Sequence, residues 1–390
     1  MSPAFESTTD SRGGEAKSVN TSSPINWSNV RRVLVVRLRS IGDTVLITPF
    51  VRALREFLPH ASVDVLLEDW VAPLLDGHAD VDRTIAVDCK SLTSRLRIGR
   101  DLRRAQYDVA FNLHAGTTAA MLTRASGARF RIGYDHSRLK NLHNIVAPPA
   151  HVLWGDRINH TAARHLALLE WTGVPVRSYV PSHLTVTQQA ARSVEAKLCA
   201  APGHDEARFG ATSEIALLHP AAAFESKRWA TSKFARAAEQ FAARGFVSVA
   251  VGARNEKQVL AQLVEESSAP IVALSDLTLP EVTALAGRAR IFLGNDSGIA
   301  HIAAAVGTPS VVIFGSSNPA QWAPWTSAPA EVVRAEDSET QNSAEADDAA
   351  QRIDRIGVER VIEAAVRVLE KSSRRETVGN KIRHEQLAAS

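Results

Sequence analysis

The sequence predicts an α/β protein built as two tandem domains, each a parallel sheet covered by helices, with a cleft between them. Three observations carry that expectation. Short β-branched runs alternate with helical patterns, and the alternation occurs twice. The strand candidates are nearly continuous apolar runs, as expected of strands buried on both faces. The chain of 390 residues, 45% hydrophobic and 22% charged, is long enough to bury two cores.

In the first half, strands are expected at Arg32–Arg39, Ser62–Leu67, Arg83–Val87 and Asp108–Leu113. Helices are expected at Thr44–Phe57, Ser91–Arg104 and Gly116–Ala125. In the second half the strands read Ile215–Leu218, Val247–Val251, Ile271–Ala273, Arg290–Leu293 and Ser310–Phe314. Helices fall at Ser232–Arg244, Asn255–Glu266, Pro280–Gly287 and Gly298–Val306. Each half makes a Rossmann-like domain, 30–180 and 188–370, joined by a linker around Ser178–Thr187. Residues 1–29 lack the apolar run of a signal peptide and read as a disordered tail. Ala335–Ala350 reads as an acidic surface loop, Ile353–Lys371 as one amphipathic helix, and 371–390 as a flexible C-terminus frayed from Arg374.

Composition excludes several classes. Two cysteines, Cys89 and Cys199, provide neither a disulfide framework nor a Cys-based metal site and suit a reducing cytoplasm. No stretch reaches the roughly 20 apolar residues of a membrane-spanning helix, so a soluble chain is expected. The formal net charge of +3 hides an asymmetry: Asn29–Thr185 holds 21 Lys/Arg against 14 Asp/Glu. Arg95, Arg97, Arg100, Arg103, Arg104, Arg124, Arg129 and Arg131 account for much of it. Such a patch suits a phosphorylated or membrane-surface partner, and it reads equally as a solvated helix face. No nucleic-acid module is visible, so nucleic acid is not expected as a partner. No metal is expected either; His160 and His165, five apart, do not share a helix face well.

In open parallel sheets, ligands bind where strand ends lead into helix N-termini, and four loops there are unusually polar. After the first strand, Arg39-Ser40-Ile41-Gly42-Asp43-Thr44 places a turn glycine beside a carboxylate. Asp43 serves equally as a helix cap or as a base able to take a proton from a substrate hydroxyl. In the second half, His219 to Trp229 contains Ser226-Lys227-Arg228-Trp229, which can hold an anion or can be exposed charge beside a packed Trp. Gly252 to Glu256 offers a carboxylate for ribose hydroxyls, or an ordinary early-helix Glu. Gly294-Asn295-Asp296-Ser297-Gly298-Ile299-Ala300-His301 holds more polar groups than a strand–helix turn needs, which favours ligand binding.

These loops, in this order, resemble glycosyltransferase family 9, the heptosyltransferases. The resemblance covers roughly residues 31–370 and is carried by VVRLRSIGDTVLITPFVRALR (35–55), HPAAAFESKRWATSKFARAAEQF (219–241) and FLGNDSGIAHIAAAVGTPSVVIFGSSNPAQWAPW (292–325). It implies the GT-B architecture, two facing Rossmann-like domains with an interdomain cleft, and inverting transfer without cofactor. It further implies Asp43, beside Gly42, as general base. Ser226 and Lys227 then hold the donor diphosphate, Glu256 the ribose, and Asp296, Ser297, Gly298 and His301 line the donor site. The implied donor is ADP-L-glycero-D-manno-heptose, and the acceptor is the anionic lipid A/Kdo inner core of lipopolysaccharide. Peripheral contact with the cytoplasmic face of the inner membrane would follow, with Arg95, Arg97, Arg100 and Arg104 meeting acceptor or membrane phosphates. The chain departs from the family pattern at Ala221, where Gly is usual, and at Asn318, where an acid is usual. Another nucleotide sugar or glycan acceptor, or a non-catalytic nucleotide-binding role, are the alternatives. A Rossmann oxidoreductase is disfavoured, because the first turn reads Ser-Ile-Gly-Asp rather than Gly-x-Gly-x-x-Gly.

Overall fold

The computed structural model describes residues 24–153, 160–176, 179–201, 213–335 and 353–388. Two six-stranded, wholly parallel sheets stand side by side. The first contains β1 (Arg32–Val36), β2 (Ser62–Glu68), β3 (Arg83–Val87), β4 (Val109–Asn112), β5 (Phe130–Tyr134) and β6 (Ile145–Ala147), in the order β3-β2-β1-β4-β5-β6. The second contains β7 (Ile215–His219), β8 (Val247–Val251), β9 (Ile271–Leu274), β10 (Ile291–Asn295), β11 (Ser310–Phe314) and β12 (Ala330–Arg334), in the order β12-β11-β10-β7-β8-β9. Both orders are the doubly wound arrangement, so each sheet has one switch point: β1/β4 in the first and β7/β10 in the second.

Central strands β4, β7, β10 and β11 are buried along their whole length, which is why they read as unbroken apolar runs. Edge strands β3 and β12 are largely uncovered. Strands β5, β6 and β12 are absent from the expectation. Beside the apolar runs of the central strands, the short and partly exposed β6 and β12 leave a weak pattern.

The helices are α1 (Ile41–Leu46), α2 (Thr48–Phe57), α3 (Leu92–Arg104), α4 (Thr117–Ala125), α5 (Ala150–Leu153), α6 (Thr161–Trp171), α7 (Gln188–Ala200), α8 (Thr231–Ala242), α9 (Lys257–Glu266), α10 (Leu279–Arg288), α11 (Gly298–Ala305), α12 (Pro319–Trp322) and α13 (Val358–Ala388). The helix expected at Thr44–Phe57 is two helices. Pro49 has no N–H to bond back to Val45, so the chain restarts at Thr48 with proline in the first turn, where it is tolerated. Helix α13 starts at Val358, later than expected, and continues past Lys371 through the segment read as frayed. Apart from Gly379, that segment contains many residues of good helix propensity. The acidic loop expected at Ala335–Ala350 lies, beyond Ala335, outside the described residues.

Residues 1–23 of the expected tail lie outside the described residues, whereas 24–29 are anchored. Ile25 is buried, and the Trp27 ring stacks on Phe111 with centroids 6.4 Å apart. Trp27 Nε1 donates to the Thr172 carbonyl at 2.9 Å. The expected linker is described from Tyr179 onward and is pinned to both domains. His183 N donates to Thr48 Oγ1 at 3.0 Å, while Ser182 N donates to the Trp325 carbonyl at 2.9 Å.

Trp229 is the largest fully buried side chain, edge-on to Phe234 with ring centroids 5.0 Å apart. Its Nε1 donates to the Ile356 carbonyl at 2.9 Å, and its backbone N donates to Asn295 Oδ1 at 3.0 Å. It therefore fixes the loop carrying Lys227 to the second core. Trp229→Ala should cost about 3–5 kcal/mol, read as a lowered denaturant midpoint at unchanged slope.

Candidate active site

Both switch points open into the space between the domains. There a cavity of about 570 Å³ is lined by Gly42 and Asp43 from the first domain and by Lys227, Glu256, Asp296, Ser297, Gly298 and His301 from the second. Eight of the expected site residues therefore meet in one place. Ser226 does not line it: its hydroxyl pairs with that of Ser316 at 3.0 Å. The four arginines of α3 lie apart from it, three of them (Arg95, Arg100, Arg104) in a separate groove and Arg97 exposed.

Asp43 sits in the first turn of α1. Its Oδ2 accepts from Ser40 N and Ser40 Oγ, both at 3.3 Å, and its Oδ1 is ion-paired with Arg37. The carboxylate is thus both a helix cap and a cavity-lining acid, so the two sequence readings are compatible. Arg37, which no motif singles out, is held in turn by the Leu113 carbonyl at 2.5 Å.

Three loops of the second domain are linked by one chain of polar contacts. Ser297 Oγ lies 3.1 Å from His219 Nδ1, and His219 Nε2 lies 3.8 Å from Glu256 Oε2. The neighbouring His219 imidazole holds the Glu256 carboxyl below its ordinary range against the opposing effect of burial, and the Ala253 N–H, donating at 2.7 Å, assists. Glu256 is therefore an anionic acceptor at the mouth of the strand. Lys227 Nζ donates to Asp296 Oδ2 at 2.8 Å, and the Ser317 hydroxyl donates to the same oxygen. Asn295 Nδ2 donates to the Pro220 carbonyl at 2.8 Å, tying the second and fourth polar loops together beneath the cavity. Of the two departures, Ala221 is buried, and Asn318 caps α12 by accepting from Ala320 N at 3.0 Å.

The domains touch through α1 and α11. A Cβ added at Gly42 would come within 2.7 Å of His301 Cδ2, and one at Gly298 within 2.6 Å of Ile41 Cβ. Only glycine permits that approach at either position. Burial lowers the His301 pKa although Asp296 and Asp43 oppose the shift, and its Nδ1 is buried without a hydrogen-bond partner.

A second cavity, about 1020 Å³, lies on the first-domain side and is bounded by Leu38, Arg39, Trp70, Lys90, His114 and Arg138, with Glu68, Asp69 and Asp88 among its acids. Ser40 to Asp43 line the smaller cavity and Leu38 and Arg39 the larger, so the loop after β1 is the wall between them. His114, from the β4 side of the switch point, is lowered to about 4, first by burial and then by Arg37. Sequence reading gave no role to His114, or to His219 and Arg37, although the last two lie inside the motifs that carry the resemblance. The switch-point rule applied to Asn112-Leu113-His114 would have found the first. One Asp-x-Asp triplet, Asp80-Val81-Asp82, lies outside both cavities, with Asp80 Oδ1 3.3 Å from Arg52 and Asp82 paired with Arg55.

Comparison with known proteins shows the family and the fold. The family model described as glycosyltransferase family 9 (heptosyltransferase) matches residues 95–353, about two thirds of the chain. Lipopolysaccharide heptosyltransferase 3 of Escherichia coli K12 is 27% identical over 301 residues, covering 74% of this chain and 84% of its own. Lipopolysaccharide heptosyltransferase 2 of Salmonella typhimurium is 27% identical over 317 residues, covering 78% and 88%. Among solved structures, a family 9 glycosyl transferase from Veillonella parvula superposes with TM-score 0.74 at 23% identity, covering 88% of this chain and 98% of that one. The E. coli ADP-heptose heptosyltransferase II does so with TM-score 0.71 at 23% identity, covering 88% and 99%. Those two structures share the fold.

Two outcomes follow from the site's packing. Gly42→Ala should push α1 off His301 and part the domains, read as an increased radius of gyration by small-angle scattering with each domain still folded. His114, His160 and His165 are held at about 4, about 4 and about 3, chiefly by burial. The unfolded chain binds these protons near its ordinary value of about 6.5. Stability is therefore full above that pH and should fall as pH drops towards 4, each histidine contributing at most about 1.4 kcal/mol per pH unit. Denaturant midpoints across that range measure it, and His165→Gln should flatten the slope.

Proposed function

This chain belongs to glycosyltransferase family 9, the heptosyltransferases, and we propose that within it the protein moves heptose from ADP-L-glycero-D-manno-heptose to the anionic inner core of lipopolysaccharide. The observation that carries this reading is the Asp43 loop standing between two cavities, one suited to each substrate. The smaller cavity lies within the range of ordinary ligand sites. Leu277, Leu279 and Val282 supply an apolar wall for a nucleobase, Glu256 accepts from ribose hydroxyls, and Lys227 meets the diphosphate. The larger cavity offers Arg39, Lys90 and Arg138 to acceptor carboxylate or phosphate, Trp70 to a sugar face, and Glu68, Asp69 and Asp88 to hydroxyls.

The reaction is an inverting displacement. An acceptor hydroxyl entering beside the wall gives its proton to Asp43 as its oxygen attacks the anomeric carbon. The bond to the ADP oxygen breaks on the opposite face, and negative charge grows on the diphosphate. Lys227 and the amides opening α11 stabilise that charge most in the transition state. Asp296 holds the Lys227 ammonium at the cavity wall before donor arrives. His301, neutral and with Nδ1 unpartnered, is available to hydrogen-bond the sugar. The anionic glycolipid acceptor places the protein at the cytoplasmic membrane surface as a peripheral enzyme. No helix among the described residues is long and apolar enough to cross a membrane.

ADP release from ADP-heptose, with and without a heptose-deficient lipopolysaccharide acceptor, tests the reading. Acceptor-dependent release supports it; silence with ADP still bound removes the stated donor or acceptor. Asp43→Asn keeps an acceptor for the Ser40 cap but no base, so turnover should fall about 10²–10⁴-fold with ADP affinity retained. Lys227→Ala should weaken ADP binding about tenfold to a hundredfold by calorimetry.

A further inference from the structure

A feature that the transfer reaction leaves unused is a groove of about 590 Å³ between α3 and α4. Helix α3 buries Ile98 and Leu102 against its own domain, whereas Leu92 and Leu96 line the groove and remain 61% and 53% exposed. Met121 of α4 faces them at 55% exposure. These three side chains contribute little to the core. Around them stand Arg95, Arg100, Arg103 and Arg104, all lining the same groove. The single acid of α3, Asp101, lies 3.5 Å from Arg104 in an exposed pair. Exposed apolar side chains inside a ring of cations are the pattern of a surface that meets a plane of phosphates.

Its position links it to the reaction. Thr118 lines both this groove and the larger cavity, and Lys90 of that cavity lies two residues before Leu92 of the groove. A flat surface resting on the groove therefore meets the mouth of the cavity assigned to the acceptor. We propose that the α3/α4 groove docks on an anionic lipid bilayer, with Leu92, Leu96 and Met121 reaching the acyl boundary and the arginines pairing with headgroup phosphates. Charge selects this occupant over a second copy of the chain, because a two-fold contact here would set one arginine ring against another. The inference rests on the anionic-glycolipid reading and adds to it the surface that presents the enzyme to such an acceptor.

The test is cosedimentation of the full-length protein with vesicles of mixed phosphatidylglycerol and phosphatidylcholine, and with vesicles of phosphatidylcholine alone. Binding should require the anionic lipid and weaken with added salt. Arg100→Gln and Arg104→Gln should each lower partitioning about fivefold, with Arg100→Lys restoring it. Leu96→Glu and Met121→Glu should lower it about tenfold or more. Both positions are exposed, and thermal melting checks that the variants fold. The proposal is overturned by equal binding to neutral vesicles, by no binding to anionic ones, or by groove variants that partition like the parent. It is also overturned by a dimer in analytical ultracentrifugation that Met121→Glu dissociates. These vesicles contain neither donor nor acceptor, so failure here leaves the transfer reaction standing. Absent ADP release with intact vesicle binding would instead remove the transfer reading.

Discussion

The approach of two helix N-termini, α1 from the first domain and α11 from the second, is the constraint on which the rest of the site depends. Gly42 lies against the His301 ring and Gly298 against Ile41, at separations that no side chain beyond hydrogen allows. That seam brings Asp43 into the same cavity as Lys227, Glu256 and Asp296. The pinned segment after Tyr179 and the ring stack of His160 on Trp325, with centroids 4.4 Å apart, hold the two domains at that distance. His160 Nε2 also contacts the Ala323 carbonyl at 2.9 Å, so a histidine that could be mistaken for a metal ligand is a domain fastener.

Within the cavity, each charge has a partner of its own. Arg37 pairs with Asp43, Lys227 with Asp296, and Glu256 with His219. Such pairing lowers the cost of keeping ions in a partly buried cleft, since unpaired charges there would be strongly penalised. Under the proposed reading, a donor diphosphate would gain the attraction of Lys227 only by sharing it with Asp296. Among the buried polar atoms that lack a hydrogen-bond partner, Nδ1 of His301 and Nδ1 of His114 flank the two cavities, where a substrate can satisfy them.

The legible part of the fold was the part governed by local pattern. The runs at 83–87, 247–251 and 310–314 match β3, β8 and β11 in full; in the last two, burial on both faces leaves little room for polar residues, whereas the edge strand β3 shows through its β-branched residues. The edge strand β12 and the short β6 escaped notice, since partial exposure relaxes the composition that marks a strand. The break before Pro49 was visible as a residue but not as a break. The helix restarts there because proline has no N–H to bond back to Val45, which the apolar periodicity does not register.

For the site, sequence alone picked out the loops that meet at the interdomain cavity: polar residues crowded at the ends of apolar strands have few structural reasons to be there. It thereby named Gly42, Asp43, Lys227, Glu256, Asp296, Ser297, Gly298 and His301, which line one cavity, although Ser226 turned instead to Ser316. Only the tertiary structure decided that Arg37 holds Asp43, that His219 bridges Ser297 to Glu256, and that His114 faces the second cavity. Those contacts join residues far apart in the chain. Their distances are set by how two sheets pack across a glycine seam, and no local pattern of residues encodes that geometry.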